Sequence, residues 1–181
     1  MLKGERVILG PVKRKYIDSF LKWFNDPEII QYLVMYRPMT RMEEEDWLEK
    51  LKEREDTIHL CITIPNEDGS EKLIGNCGIH RIDWKNRSAE IGITIGEKEY
   101  QNKGYGTEAI ELLLEYGFNT VNLNRIELQV YDYNVRAIKT YKKIGFIEEG
   151  RRRKFMWSKG AYHDAIIMSI LAEEWKKKKN I

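Results

Sequence analysis

The stretch Tyr100–Ile110, "YQNKGYGTEAI", decides how the rest of the chain is read. Two glycines, Gly104 and Gly106, are separated by one residue, Lys103 precedes them, and a helix-like run follows. A P-loop needs its lysine after the glycines, followed by Ser or Thr, and here the lysine comes first. A dinucleotide fingerprint fits as far as Gly104-x-Gly106-x-x-Ala109. The link from the preceding strand is too long for its tight turn, however, and only one further strand–helix–strand unit follows. A third arrangement needs only backbone N–H groups at a helix start with no bulky Cβ in the way. That is an anion site suited to a pyrophosphate, and Lys103 adds charge to it. Read alone, the stretch fits a plain helix start with a flexible entry equally well.

The surrounding chain sets the context. At 181 residues it suffices for one well-cored domain and is short for two. It is 42% hydrophobic and 33% charged, and its signs nearly cancel to a net +2, which does not point to a nucleic-acid binder. No apolar run approaches the roughly 18 residues of a membrane span, and the N-terminus lacks a signal-peptide core. Two cysteines, Cys61 and Cys77, without a Cys-x-x-Cys, fit buried thiols in a reducing cytoplasm and not a disulfide scaffold or zinc site.

Periodicity predicts a strand at Arg6–Gly10, then a helix burying Tyr16, Ile17, Phe20, Leu21 and Phe24 and stopped by Asp26-Pro27. Thr40 with Glu43 makes a capping box for a helix carrying Trp47, Leu48 and Leu51. Strands follow at Ile58–Ile64, Lys72–Ile82 and Ser88–Ile95. The last turns Ile91, Ile93 and Ile95 to one side and Glu90, Gly92 and Thr94 to the other. A helix from Thr107 to about Tyr116 buries Ala109, Ile110, Leu113 and Tyr116. Arg125–Val130 is a strand, and Asn134 caps a helix that carries Ala137, Ile138, Tyr141 and Ile144 and ends at Gly145. Phe155–Trp157 and Ala165–Leu171 form a hairpin through Lys159-Gly160. Residues from about 173 to 181 read as a solvated tail. The class is therefore α/β (α+β), a mixed sheet with helices on its faces.

Two elements now combine. Gln101-x-x-Gly104-x-Gly106 follows a strand and opens a helix, and "NVRAIKTYKKIGF" (Asn134–Phe146) comes about thirty residues later. Together they resemble the signature of the GNAT acyl-CoA-dependent N-acetyltransferases. "SAEIGITI", "NDPEIIQYL" and "EEGRRRKFMWSKGAYHDAIIMSIL" extend the resemblance to the branch of ribosomal-protein N-terminal and spermidine/spermine acetyltransferases. The resemblance implies one domain over residues 1–181, with a curved mixed β-sheet, flanking helices and splayed central strands. It also implies acetyl-CoA as cosubstrate, no metal and, as a family expectation, a homodimer.

Under that resemblance, backbone groups of Ile93, Thr94 and Ile95 pair with pantetheine, and one N–H there polarises the thioester carbonyl. Gln101, Asn102, Lys103, Gly104, Tyr105, Gly106 and Thr107 wrap the pyrophosphate. Asn134 and Ala137 meet the pantetheine arm, and Asn134 caps its helix as well. Tyr141 is the candidate general acid, since a phenol of pKa near 10 can protonate a thiolate. Its place on the apolar helix face also suits a plain core aromatic. Glu90 is the candidate base, acting through water. It can also be an exposed strand residue, or an ion pair with Arg87.

The acceptor is a primary amine, either a protein N-terminus or a polyamine. Other readings are an aminoglycoside acetyltransferase, or a non-catalytic acyl-CoA or nucleotide-binding module in which Tyr141 and Glu90 are structural. A lysine-like amine is only about 0.04% neutral at pH 7 and an α-amine roughly 10%, so a polyamine has more need of a base. A polyamine also needs spaced carboxylates, which Asp26, Glu28, Asp83 and Met42–Trp47 ("MEEEDW") can supply. Glu43–Asp46 fit a favourable acidic first turn at least as well. A peptide would use a groove of Tyr32, Tyr36 and Trp84. The run Arg151–Lys154 reads as solvated surface beside Glu148-Glu149. His59, His80 and His163 show no metal spacing and no acidic partner. Neither cysteine adjoins a histidine, so transfer is direct.

Overall fold

The computed structural model describes residues 1–180. Its strands are β1 (Leu2–Lys3), β2 (Ile8–Pro11), β3 (Ile58–Pro65), β4 (Glu71–Asp83), β5 (Ser88–Ile95), β6 (Arg125–Tyr131), β7 (Ile147–Ser158) and β8 (Ala161–Leu171). They make one open sheet in the order β1-β2-β3-β4-β5-β6-β8-β7. The helices are α1 (Ile17–Phe24), α2 (Pro27–Ile30), α3 (Arg41–Lys50), α4 (Tyr105–Asn119), α5 (Val135–Ile144) and α6 (Ala172–Lys179).

Neighbouring strands are antiparallel everywhere except at β5 and β6, which are joined through α4 and run parallel. That pair is short. Only Ser88, Ala89 and Glu90 are in register with Arg125, Ile126 and Glu127. β5 continues, paired with β4, as far as Ile95. Its other edge therefore meets no strand from Ile91 onward, and a gap opens through the middle of the sheet.

The two faces of the sheet differ because side chains alternate along each strand. One face carries Ile79, Ile91, Ile126, Leu128 and Val130 and packs against Ala109, Ile110, Leu113 and Leu114 of α4. Each of these large aliphatic side chains contributes about 1.5–3 kcal/mol by leaving water. The other face is covered over β3 and β4 by a smaller cluster of Tyr16, Phe20, Trp23, Ile29, Cys61 and Leu73. Between these patches it carries polar residues. His59 lies opposite Gly78, Asn76 opposite Thr94, His80 opposite Glu90, and Glu90 opposite Glu127.

The structure departs from the sequence reading in several places. Asp26-Pro27 ends α1, but it also starts α2, with Asp26 accepting from the Glu28 N–H and Pro27 in the first turn where its missing N–H costs nothing. Phe20 and Trp23 are the fully buried aromatics of α1, Leu21 and Phe24 are only partly buried, and the Trp23 indole donates to Glu97 at 2.9 Å. The hairpin strands are much longer than expected. Register shifts at Glu148/Gly150 and Arg152/Met156 break the alternation by which β7 would have been recognised. The solvated tail is a helix. Trp175 is 2% exposed and packs on Phe118 at 6.5 Å, while Glu173 and the lysines of α6 face water.

Candidate active site

The gap between β5 and β6 opens into two cavities. The first, about 470 Å³, lies between the free edge of β5, the start of α4 and one side of α5. The second, about 750 Å³, lies on the polar face of the sheet under α1 and α3. They share a wall made of Ile91, Gly92, Ile93 and Thr94, with Tyr32 and Tyr131 beside it.

The first cavity is built largely from backbone. Gly104 caps α4 with φ +88°, a left-handed conformation that glycine adopts without steric cost, and no side chain caps this helix. Asn102 takes a similar turn at φ 61°. The first N–H groups of α4 are thereby presented to the cavity with the positive end of the helix dipole behind them. A Cβ on Gly106 would lie 3.5 Å from Ile95 Cγ1, an ordinary contact. Packing would therefore accept a side chain there, and what the glycine leaves open is the cavity wall. Gln101 does not point its amide outward. It donates to the Ile95 carbonyl at 2.8 Å and ties the loop to the strand end.

Asn134 caps α5 by accepting from the Ala137 N–H at 3.3 Å, which leaves its own amide N–H groups free. Arg136 donates to Asn102 at 2.9 Å and brings a guanidinium to the rim. Sequence reading passed over Arg136, although its position two residues after the cap, facing a glycine loop, was a usable signal. These features fit a long anionic ligand with an amide-bearing arm. Free backbone groups can pair with the amides, and helix N–H groups with Arg136 can meet the phosphates.

Tyr141 also lines this cavity, with its ring edge-on to Phe146 at 5.7 Å. Burial pushes its phenol up to about 12. Lys103 and Tyr105 do not line it. The Lys103 carbonyl accepts from Arg6, and Tyr105 packs on Tyr100 with the Arg6 guanidinium over its ring.

Glu90 lies in the second cavity, apart from Tyr141. Its partner is Arg81 at 2.7 Å and not Arg87, which bonds Asn122 instead. Of the acceptor residues expected from sequence, Tyr32 lines both cavities, while Tyr36 and Trp84 are exposed and line neither. Asp26 and Glu28 pair with Lys98, and Asp83 is held in its turn by Asn86. His163 does have an acidic partner, Asp132 at 3.2 Å. Among the described residues there is no cluster of three His, Cys, Asp or Glu able to hold a metal, and no helix long and apolar enough to cross a membrane.

Known proteins share this architecture. The spermidine N-acetyltransferase from Vibrio cholerae, solved in complex with CoA and spermine, superposes with a TM-score of 0.87 at 26% identity over 95% of this chain and 99% of that one. The uncharacterised N-acetyltransferase p20 of Bacillus licheniformis is 31% identical over 96% of this chain and 97% of its own length. YdaF of Bacillus subtilis, provisionally named a ribosomal N-acetyltransferase, is 38% identical over 62% of this chain and 60% of its own. Residues 6–147 match the acetyltransferase (GNAT) domain, which spans both strands of the splay, the glycine loop and Tyr141. The chain belongs to the GNAT acetyltransferases and is an N-acetyltransferase that takes its acetyl group from acetyl-CoA.

Proposed function

We propose that the acetyl donor lies in the first cavity, that a primary amine enters from the second, and that the two meet at the shared wall Ile91–Thr94. That wall carries the proposal, because one stretch of strand lines both spaces. When bound, acetyl-CoA supplies a thioester whose carbonyl carbon accepts the amine. A backbone N–H on the free edge of β5 polarises that carbonyl. Backbone of Gln101, Asn102, Gly104, Gly106 and Thr107, with Arg136, holds the phosphates, and Asn134 and Ala137 hold the arm.

Tyr141 donates its O–H proton to the departing sulfur. Burial keeps the phenol protonated at neutral pH. Burial pushes the Cys61 thiol up to about 12 as well. A thiolate formed in a similarly dry site is raised in the same way, so donor and leaving group stay matched. Glu90, half-exposed at the last position where β5 pairs with β6, receives the acceptor's proton through water. One of its carboxylate oxygens serves Arg81 and the other is left for that water.

The acceptor we favour is a polyamine-type amine, supported by the spermidine enzyme and by the carboxyl groups of the second cavity. A protein α-amine is the second reading, supported by YdaF. The proposed compartment is the cytoplasm, in keeping with two free buried cysteines. A homodimer is proposed from the family, and exposed Trp157 and Tyr162 on the β7–β8 hairpin offer it apolar surface. An acetyl-CoA-dependent thiol-release screen tests the function with amino-terminal peptides, polyamines, aminoglycosides and amino acids. Release with polyamines is expected, and no release with any amine would sink the reading.

A further inference from the structure

Three residues that line the second cavity each carry a buried polar atom with no hydrogen-bond partner: Glu44 Oε1, His59 Nε2 and Asn76 Oδ1. Glu44 is the most unusual of them. It is 3% exposed, although acidic side chains are almost never buried without a partner. Its helix gives a local reason for its position. The Thr40/Glu43 capping box fixes the first turn of α3, with Glu43 turned back to Thr40. Glu44 then falls one turn before Trp47 on the same helix face, and Trp47 stacks edge-on over His59 at 5.0 Å. Burial is the cause that pushes the Glu44 carboxyl up to about 7, and no cation contributes. The imidazoles facing it do not supply one, because burial lowers both His59, to about 4, and His80. The other carboxylates lining this cavity are engaged: Glu43 in its cap, Glu90 with Arg81 and Glu127 with Arg125.

The sheet register gives the row its direction. Thr94, on the shared wall, lies opposite Asn76 on β4. His59 on β3 lies opposite Gly78, where the His80 ring comes so close that a Cβ would meet it at 2.7 Å. Moving from β5 to β3 crosses two strand spacings, about 10 Å in all. The unpaired atoms thus lead away from the transfer point and end under α3 at Glu44.

We infer that Glu44, Asn76 and His59 form a second acceptor subsite, which binds an N–H-donating group of the acceptor about two strand spacings from the nitrogen that is acetylated. This rests on the proposed entry of the amine through the second cavity. An ionised carboxyl and an amide oxygen both require donors, and His59 adds a ring nitrogen that can serve in either sense. Two sources supply such donors: a second ammonium of a diamine, or a backbone amide of a peptide whose α-amine reacts. The ammonium fits best, because one carboxyl is left without a countercharge.

The test compares kcat/KM for α,ω-diamines of increasing length, monoamines of matching length, and short peptide amides, in the wild-type protein and in Glu44→Gln. In the wild type, the best-matched two-headed acceptor should exceed its monoamine by about 10- to 100-fold, the worth of a charge-assisted hydrogen bond. In Glu44→Gln that ratio should collapse to within a few-fold. Collapse for diamines assigns the ammonium, and collapse for peptide amides assigns the amide. A preference that survives in Glu44→Gln, or none in the wild type, overturns the subsite. If no amine is acetylated by either protein, the function proposed above fails on its own. Calorimetric titration of the same compounds into the CoA-saturated proteins then decides the subsite, and equal binding to both overturns it. Should Glu44→Gln not fold, Asn76→Ala removes a contact in the same row and is read by the same ratio.

Discussion

The two cavities share a wall but are built from different material. The first is made of backbone: the free edge of β5, the bare start of α4 and the cap of α5. The second is made of side chains delivered by α1, α3, β3, β4, β6 and β7, including Glu44, His59, Asn76 and Arg152. A backbone site recognises what all acyl-CoA donors have in common, and few substitutions can alter it. A side-chain site can be rewritten one residue at a time. One fold can therefore keep its donor and change its acceptor.

Four substitutions test that contrast, from the largest effect to the smallest. Tyr141→Phe removes the one proton-donating side chain proposed in the largely backbone-built cavity. Turnover should fall about 100- to 10,000-fold while CoA still protects the protein against thermal unfolding. Unchanged turnover would remove Tyr141 as the proton donor.

Glu44→Gln probes the side-chain-built cavity through stability. Its carboxyl is raised in the folded state from an ordinary value of 4.5 to about 7. Below pH 4.5 both states are protonated and nothing is lost. Between 4.5 and 7 the unfolded chain ionises first, so stability falls as pH rises, and above 7 the loss is complete. The variant should therefore be more stable than wild type by about 3 kcal/mol at pH 8, and equal to it near pH 4.5. His59 and His80 line the same cavity from the sheet, and burial lowers both imidazoles; His59, at about 4, stays neutral across the upper half of that window. Denaturant unfolding at the two pH values reads the difference, and equal effects at both would contradict it.

Gly106→Val fills the opening beside the helix start. CoA affinity should drop roughly 10- to 100-fold, as one or two hydrogen bonds are lost. The thermal midpoint without CoA should move little, because Ile95 accepts an added Cβ at contact distance. Retained affinity in calorimetry would show that the loop does not hold the donor.

The smallest effect lies below the splay. Arg125 reaches both Glu149 and Glu127, and Ser169 also donates to Glu149, which fastens β6, β8 and β7 together. The Arg125 hydrogen bonds, and then that of Ser169, hold Glu149 down at about 2. The stabilisation is present above about pH 4.5 and lost as pH falls toward 2. Since the pair is partly exposed, Glu149→Gln should cost about 1 kcal/mol or less at pH 7, and nothing at pH 2. Acid titration of unfolding for wild type and variant is the measurement.

The same contrast explains what the sequence disclosed. The strand "SAEIGITI", the paired glycines and the Asn134 cap are local patterns, so the sheet with its crossover and the elements that line the first cavity could be read from neighbours in the chain. Glu44 could not. In sequence it is one of four acidic residues at a helix start, where an acidic first turn accounts for all of them. Only the packing of α3 on β3 sets it apart from Glu43 and Glu45. His59, Asn76 and His80 come together only through the register of β3, β4 and β5. Trp175 was missed for a related reason, since a run of lysines reads as solvated until α6 turns one indole inward onto Phe118.

The short parallel pairing of β5 and β6 has one more consequence. With three residues in register, the opening passes through the sheet and is not a pit in one face. With the donor and the amine in the two cavities as proposed, they do not queue at a common doorway, and neither product has to wait for the other to clear its path. Initial-rate plots against the two substrates should give intersecting lines, the kinetic mark of both being on the protein at once.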